Sequence, residues 1–259
     1  MTTKDCPGCG APVATGDNFC ERCGLAQPTG RDRVELDLTT AAGISDRGRR
    51  HHRNEDALAL RVADRVVVAV VCDGVSTSDR PDDASRAAAE AAADVLEEGG
   101  DTAEAVRTAN EAVAVLAPGT AESPACTYVS AVLSDDEVVI GWVGDSRAYW
   151  LGETESRRLT DDDALGHVLT AWLGADAGEV AARELTFRPD GPGTVLLCSD
   201  GLWNYLGEAR ALAELVRTSA SPAAAAADLV RYANDQGGHD NITVVVVPFP
   251  PTGARSTRS

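Results

Sequence analysis

Residues 66–74 read VVVAVVCDG, an apolar run from Val66 to Cys72 that passes directly into Asp73-Gly74. A short run rich in β-branched valine reads as a strand. The carboxylate at its end recurs along the chain. Residues 196–201, LLCSDG, end a second apolar run in Asp200-Gly201. Asp145 follows Val138–Gly144, Asp240 precedes the last apolar run, and Glu55-Asp56 directly precede another. A lone Asp-Gly is a turn signal, and Asp190-Gly191 reads as no more than that. Several acidic sites at strand ends ask for more, because carboxylates gathered at one end of a sheet repel each other unless cations lie between them. Oxygen-only ligands suit Mg²⁺ or Mn²⁺. Two such ions ~3.5–4 Å apart can generate hydroxide and brace an in-line attack on phosphorus.

Outward from that strand, Ala57–Val62 reads as its hairpin partner across the polar turn 63–65. Val34, Leu36 and Leu38 alternate with polar residues, which predicts a half-buried strand. Two helices are expected next, an Ala-rich one over about residues 82–98 and a second over about 102–116. The second begins with Asp101 and Glu104 in capping-box spacing. Further strands are expected at 127–133, 138–143, 148–151, 183–187, 194–198 and 242–247, and helices near 208–218 and after Ser221-Pro222. Strands come in blocks and do not alternate strictly with helices, which predicts an α+β layered domain and argues against a doubly wound sheet.

The chain has 259 residues, with 23 basic against 41 acidic side chains and a net charge of −18. That balance disfavours non-specific nucleic-acid binding and anionic membranes. The run Val66–Cys72 is far short of the ~20 residues of a membrane span, and the beginning MTTKDCPGCG has no hydrophobic signal region, so a cytoplasmic protein is expected. Four of the seven cysteines, Cys6, Cys9, Cys20 and Cys23, form C-x2-C-x10-C-x2-C. In a reducing compartment this spacing points to one structural Zn²⁺ held by four thiolates in a small ribbon, ahead of two disulfides. Cys72 and Cys198 end apolar runs and read as buried, inert thiols. The expected organisation is a zinc ribbon over 1–26, a linker over 27–33, the main domain over 34–248 and a disordered tail over 249–259.

Taken in order, Asn54-Glu55-Asp56, Asp73-Gly74, Gly144-Asp145-Ser146-Arg147, Leu159-Thr160-x-Asp162, Ser199-Asp200-Gly201-Leu202-Trp203 and Asp240-Asn241-Ile242-Thr243 resemble the metal-dependent type 2C protein serine/threonine phosphatase family. The resemblance spans about Val34 to Val247. It implies a four-layer α-β-β-α sandwich of two antiparallel sheets flanked by helices. It also implies two Mn²⁺ or Mg²⁺ ions, with Asp73 bridging them, Asp200 and Asp240 on the first, and Glu55 and the Gly74 carbonyl on the second. Asp145, with Asp200, corresponds to a weaker third-metal site. The implied reaction is hydrolysis of phosphoserine and phosphothreonine in proteins by direct attack of metal-bound hydroxide, opposing a bacterial Ser/Thr kinase. The catalytic set is then Asp73, Asp200 and Asp240.

The sequence also departs from that pattern. Val75-Ser76-Thr77 follows Asp73-Gly74 where the family has x-Gly-Gly, Val75 stands where eukaryotic members often have a His acid, and Asn204 replaces a frequent carboxylate. The stretch from Asp162-Asp163 to Leu169 is so short that the flap of related bacterial enzymes looks deleted. These changes leave open a catalytically weak module that binds phosphoproteins as an adaptor, although the intact Glu55, Asp73, Asp200 and Asp240 favour an enzyme. The family's phosphate-binding Arg, five residues before Asp56, is His51 here, within Arg49-Arg50-His51-His52-Arg53. If this segment is extended, His51 and Arg53 share a face and Arg50 and His52 lie on the other. Arg53 is then expected to grip the phosphate with His51 as helper, or Arg50 if the loop shifts by one residue.

Overall fold

The computed structural model describes residues 3–5, 11–14, 20–23, 32–166 and 168–251. Val66–Cys72 forms the expected strand, with every residue after Val66 buried. It pairs antiparallel with Ala57–Ala63 and with Tyr128–Leu133. Val138–Val143 and Arg183–Phe187 complete a five-stranded sheet. A six-stranded antiparallel sheet runs Ser156–Arg158, Arg147–Gly152, Gly193–Cys198, Ile242–Phe249, Ala42–Asp46, Arg33–Asp37 in spatial order.

The period-two alternation of the valines decides the layers. Val67, Ala69 and Val71 face the other sheet and meet Leu197, Val245 and Val247. Val68, Val70 and Cys72 face outward onto helices α1 (Pro81–Glu97) and α2 (Thr102–Ala114). Val244 and Val246 face the opposite way from Val245, onto α3 (Asp200–Trp203), α4 (Ala209–Thr218) and α5 (Pro222–Asp235). The result is helices, sheet, sheet, helices, with three apolar layers between them. The alanine stripe Ala84, Ala88, Ala89, Ala92, Ala93 lets α1 lie close on its sheet. Two caps hold as read: Asp101 accepts from Glu104 N at 2.8 Å and Ser221 from Ala224 N at 3.1 Å, each worth ~1 kcal/mol.

The structure differs from expectation at several elements. Ala42–Asp46 is an inner strand, hidden in the sequence because AGISD carries one large apolar residue, Ile44. Arg33–Asp37 is an outer edge strand whose alternating residues are not half-buried: Val34 is 37% and Leu38 40% exposed, and only Leu36 packs on the core. The last strand continues to Phe249, whose ring meets Trp150 edge-on at 5.8 Å, and Pro251 is also buried, so the fold runs past residue 248. The short stretch after Asp163 is a small hairpin, Ala164–Leu165 with Val168–Leu169, so the region is reduced and not absent.

At the N-terminus, Thr3–Asp5 pairs antiparallel with Pro12–Ala14. Cys20 is buried and Cys23 exposed, while Cys6 and Cys9 lie outside the described residues, as do most of the expected linker and residues 252–259 of the tail. Among the described residues, no helix is long and apolar enough to cross a membrane.

Candidate active site

Antiparallel register brings the first two acidic segments together. Ala57 pairs with Cys72, so the chain on either side places Asp56 beside Asp73. The two Asp-Gly pairs are not hairpin turns, since Gly74 bridges antiparallel to Cys126 and Gly201 lies in α3. They are points of close approach. A Cβ on Gly74 would lie 2.6 Å from the Glu55 and Pro81 carbonyl oxygens, and one on Gly201 would lie 1.9 Å from the Asn241 oxygen. Glycine thus packs the Asp73 segment onto Glu55, and the Asp200 segment onto Asp240-Asn241.

Asp73 is surrounded by four other carboxylates, Asp56, Asp200, Asp240 and Asp145. Burial, then the charges of Asp56, Asp200, Asp240 and Asp145, push Asp73 well above the usual carboxylate range. Asp200 is pushed up to about 8, by burial and then by Asp240 and Asp145. Burial raises Asp145 too, with help from Asp162. Asp56, to which the sequence reading assigned no role, is pushed up to about 6 chiefly by burial, and its Oδ1 is buried with no hydrogen-bond partner among the described residues. No three His, Cys, Asp or Glu side chains among the described residues close on one another as a finished metal site. The predicted donors are all oxygen, and the unpartnered, buried Asp56 Oδ1 beside Asp73 adds to a surrounding that suits a hard divalent cation.

Glu55 is fixed from several sides. Its Oε1 accepts from Arg53 Nε at 2.9 Å, its Oε2 from Ser76 Oγ at 2.5 Å, and its backbone N donates to Asn241 Oδ1 at 2.7 Å. Each carboxylate oxygen has a second lone pair, so these bonds leave ligating capacity. Ser76 occupies a position where the family pattern has glycine.

The basic loop is turned, not extended: Gly48 has φ +73° and bends follow at 52–53. The alternation argument therefore fails, because the segment is not a strand. His51 and Arg53 nevertheless both reach the carboxylates. His51 Nε2 lies 3.1 Å from Asp240 Oδ1, and Arg53 Nη1 lies 3.5 Å from Asp82 while its Nε holds Glu55. Arg50 makes no ion pair among the described residues. It lines the same open cleft of about 580 Å³ with His51, His52, Arg53 and Glu55.

Sequence reasoning missed the supports. Asn241, 2% exposed, donates from Nδ2 to the Arg47 and Arg53 carbonyls at 2.8 and 3.0 Å while accepting from Glu55 N. One amide thus staples both ends of the basic loop to the strand that follows Asp240. Behind Asp56, Ser199 Oγ donates to its Oδ2 at 2.8 Å and accepts from Thr243 N. Arg147 grips Asp162 with two bonds of 2.9 and 2.6 Å and lies 3.6 Å over the Trp203 ring, whose Nε1 donates to the Asp145 carbonyl at 3.0 Å. Asn204 Nδ2 donates to Asp200 Oδ2 at 3.1 Å, so it steadies that carboxylate without adding charge. The signal for all of these was their place in the ordered motifs, not their residue type. Cys72, Cys126 and Cys198 are buried, and burial pushes the Cys72 and Cys198 thiols up, so none serves as a thiolate nucleophile.

An α+β sandwich with a buried carboxylate cluster beside a cleft lined by basic residues suits a hydrolytic site for an anionic ester. The sequence pattern of protein phosphatase 2C matches residues 46–234. The serine/threonine phosphatase stp of Listeria innocua is 30% identical over 236 residues, covering 78% of this chain and 93% of that protein. The catalytic domain of the serine/threonine phosphatase PstP in complex with two manganese ions superposes with a TM-score of 0.66 at 25% identity, covering 83% of this chain and 97% of that one. Stp1 from Staphylococcus aureus shares the fold, with a TM-score of 0.71 at 22% identity over 81% of this chain and 94% of that one. The chain belongs to the protein phosphatase 2C family and is a serine/threonine phosphatase.

Proposed function

We propose that this phosphatase hydrolyses phosphoserine and phosphothreonine in cytoplasmic proteins, opposing a bacterial Ser/Thr kinase, through two Mn²⁺ or Mg²⁺ ions held by Asp73, Asp200, Asp240, Glu55 and the Gly74 carbonyl. The observation that carries the reading is the crowding of Asp73 by four other carboxylates in a buried place, which bound cations would relieve. The two manganese ions of the PstP catalytic domain support the same number here. When bound, such ions supply Lewis acidity toward the phosphoryl oxygens and lower the pKa of a water in the cleft.

The chain's own residues do the rest. Asp73, Asp200 and Asp240 would hold one ion, and Asp73, Glu55 and the Gly74 carbonyl the other. Asp145 with Asp200 would hold a third ion more weakly, since residue 204 is Asn and adds no carboxylate. Arg53, with its side chain 50% exposed, is free to extend its guanidinium from Glu55 toward a phosphate in the cleft. His51 orients Asp240 through its 3.1 Å contact. Val75 has no proton to give, so solvent in the cleft protonates the departing serine or threonine oxygen. Arg147, locked on Asp162 and Trp203, sets the Asp145 backbone.

Hydrolysis of an aryl phosphate by chelator-stripped protein, with and without added Mn²⁺, tests the reading. Mn²⁺ should restore turnover in the parent and not in Asp73→Asn. Equal rates with and without metal, or full activity in Asp73→Asn, would refute it. We further propose one structural Zn²⁺ on Cys6, Cys9, Cys20 and Cys23, supported by their spacing and by the strand pair that brackets the first two. Elemental analysis should find one zinc per chain and none after Cys6→Ser with Cys20→Ser.

A further inference from the structure

We propose that a second cavity, walled in part by Val75 next to Gly74, is a subsite for a cationic side chain, arginine or lysine, of the phosphoprotein substrate. The proposal rests on the phosphatase reading and names what that site selects. The cavity has a volume of about 300 Å³, and its walls include Val75, Leu169 and Trp172 with Glu122, Ser123 and Asp176. Val75, in the wall of this cavity, directly follows Gly74, whose carbonyl the phosphatase reading assigns to a metal ion.

Three features of the lining choose the occupant. Glu122 and Asp176 are exposed, and neither pairs with a basic side chain among the described residues. Both are held in place. Asp79 Oδ2 accepts from the Ala121 and Glu122 backbone nitrogens at 2.7 and 3.2 Å, and Trp172 Nε1 donates to Asp176 Oδ1 at 3.1 Å. Ser123 Oγ is buried without a hydrogen-bond partner among the described residues, so it can accept from an entering N–H.

Apolar walls suit the methylene stem of Lys or Arg, and the indole of Trp172 suits its cationic end. An anionic side chain would meet two carboxylates on a chain of net charge −18. A purely apolar one would leave the Ser123 hydroxyl unmet and two carboxylates desolvated. An extended peptide advances ~3.3–3.6 Å per residue, so three residues on either side of the phosphorylated one span about 10 Å in each direction, the range that is searched for the selected side chain.

The experiment uses the full chain with Mn²⁺ and a set of phosphothreonine peptides carrying Arg, Gln or norleucine at each position from −3 to +3. An exposed ion pair and a cation–π contact are each modest, so kcat/KM for Arg should exceed that for Gln about fivefold at one position. The preference should fall in 0.5 M salt, and in Glu122→Gln/Asp176→Asn it should collapse to less than twofold. An aryl phosphate, too small to reach the cavity, should be hydrolysed equally by both proteins. Equal rates for Arg and Gln at every position, a preference for norleucine, or an Arg preference that survives the double substitution would each overturn the subsite. Failure of the parent to hydrolyse the aryl phosphate would instead overturn the phosphatase reading on which it rests.

Discussion

Asn241→Ala should damage both stability and substrate binding, because one buried amide joins three backbone groups that nothing else pairs in the same way. Asn241 accepts from Glu55 N at 2.7 Å and donates to Arg47 O at 2.8 Å and Arg53 O at 3.0 Å. A buried group left unsatisfied costs ~1–3 kcal/mol. Three groups partly rescued by entering water give an expected loss of ~3 kcal/mol. For a domain of this size each kcal/mol shifts Tm by ~2–4 °C, so the midpoint should fall by about 6–12 °C. The kinetic effect should appear mainly in KM, because the loop that loses its two anchor points carries Arg50, His51 and Arg53 around the cleft. A tenfold rise corresponds to ~1.4 kcal/mol, about one hydrogen bond's net worth. Asn241→Asp separates the two contributions: it keeps the acceptor for Glu55 N but can donate to neither carbonyl, so the rise in KM should persist. Thermal melts followed by circular dichroism and aryl phosphate kinetics at saturating Mn²⁺ read both. A midpoint within 1 °C of the parent together with an unchanged KM for Asn241→Ala would refute the staple.

Arg53→Ala should raise KM for an aryl phosphate well above the value for Arg50→Ala, since Arg53 is the guanidinium held against Glu55; the reverse order would move the phosphate grip to Arg50. Asp145→Asn should slow turnover at low Mn²⁺ and approach the parent at high Mn²⁺, and loss that metal cannot rescue would place Asp145 in the first two sites. Metal-free protein should lose stability as pH rises. Asp200 has a folded pKa of about 8, above the ~3.9 of an unfolded Asp, so its contribution is complete below pH ~4 and is lost as pH rises through about 8. Tm of the metal-free chain should therefore fall across that window and recover with Mn²⁺. A flat profile without metal would show that the carboxylates do not repel one another as described.

Much of this molecule is legible in its sequence because the signals are local. The valine run 66–72 needs only its own β-branched side chains to be a strand, and its period of two already sorts Val67, Ala69 and Val71 from Val68, Val70 and Cys72. Asp101 and Ser221 announce helix starts because a cap bonds three residues away. The ordered acidic motifs identify the chemistry because a divalent cation needs oxygen donors and little else nearby. The supports were not legible, since they join residues far apart in the chain. Asn241 meets Glu55 across 186 positions and Ser199 meets Asp56 across 143, and no local pattern encodes such a contact. Ala42–Asp46 is a strand because Ile242–Phe249 supplies a ladder beside it, not because of its own weak apolar pattern. Gly74 and Gly201 look like turn residues and are instead places where another backbone comes too close for a Cβ. The sequence alone thus determined most of the strands and the capped helices and singled out the acidic motifs at strand ends, whose causes lie within a few residues. Which carboxylates crowd Asp73, how the basic loop turns, and where a cavity opens beside Val75 were decided only in three dimensions, because each depends on packing between segments that the chain itself does not place side by side.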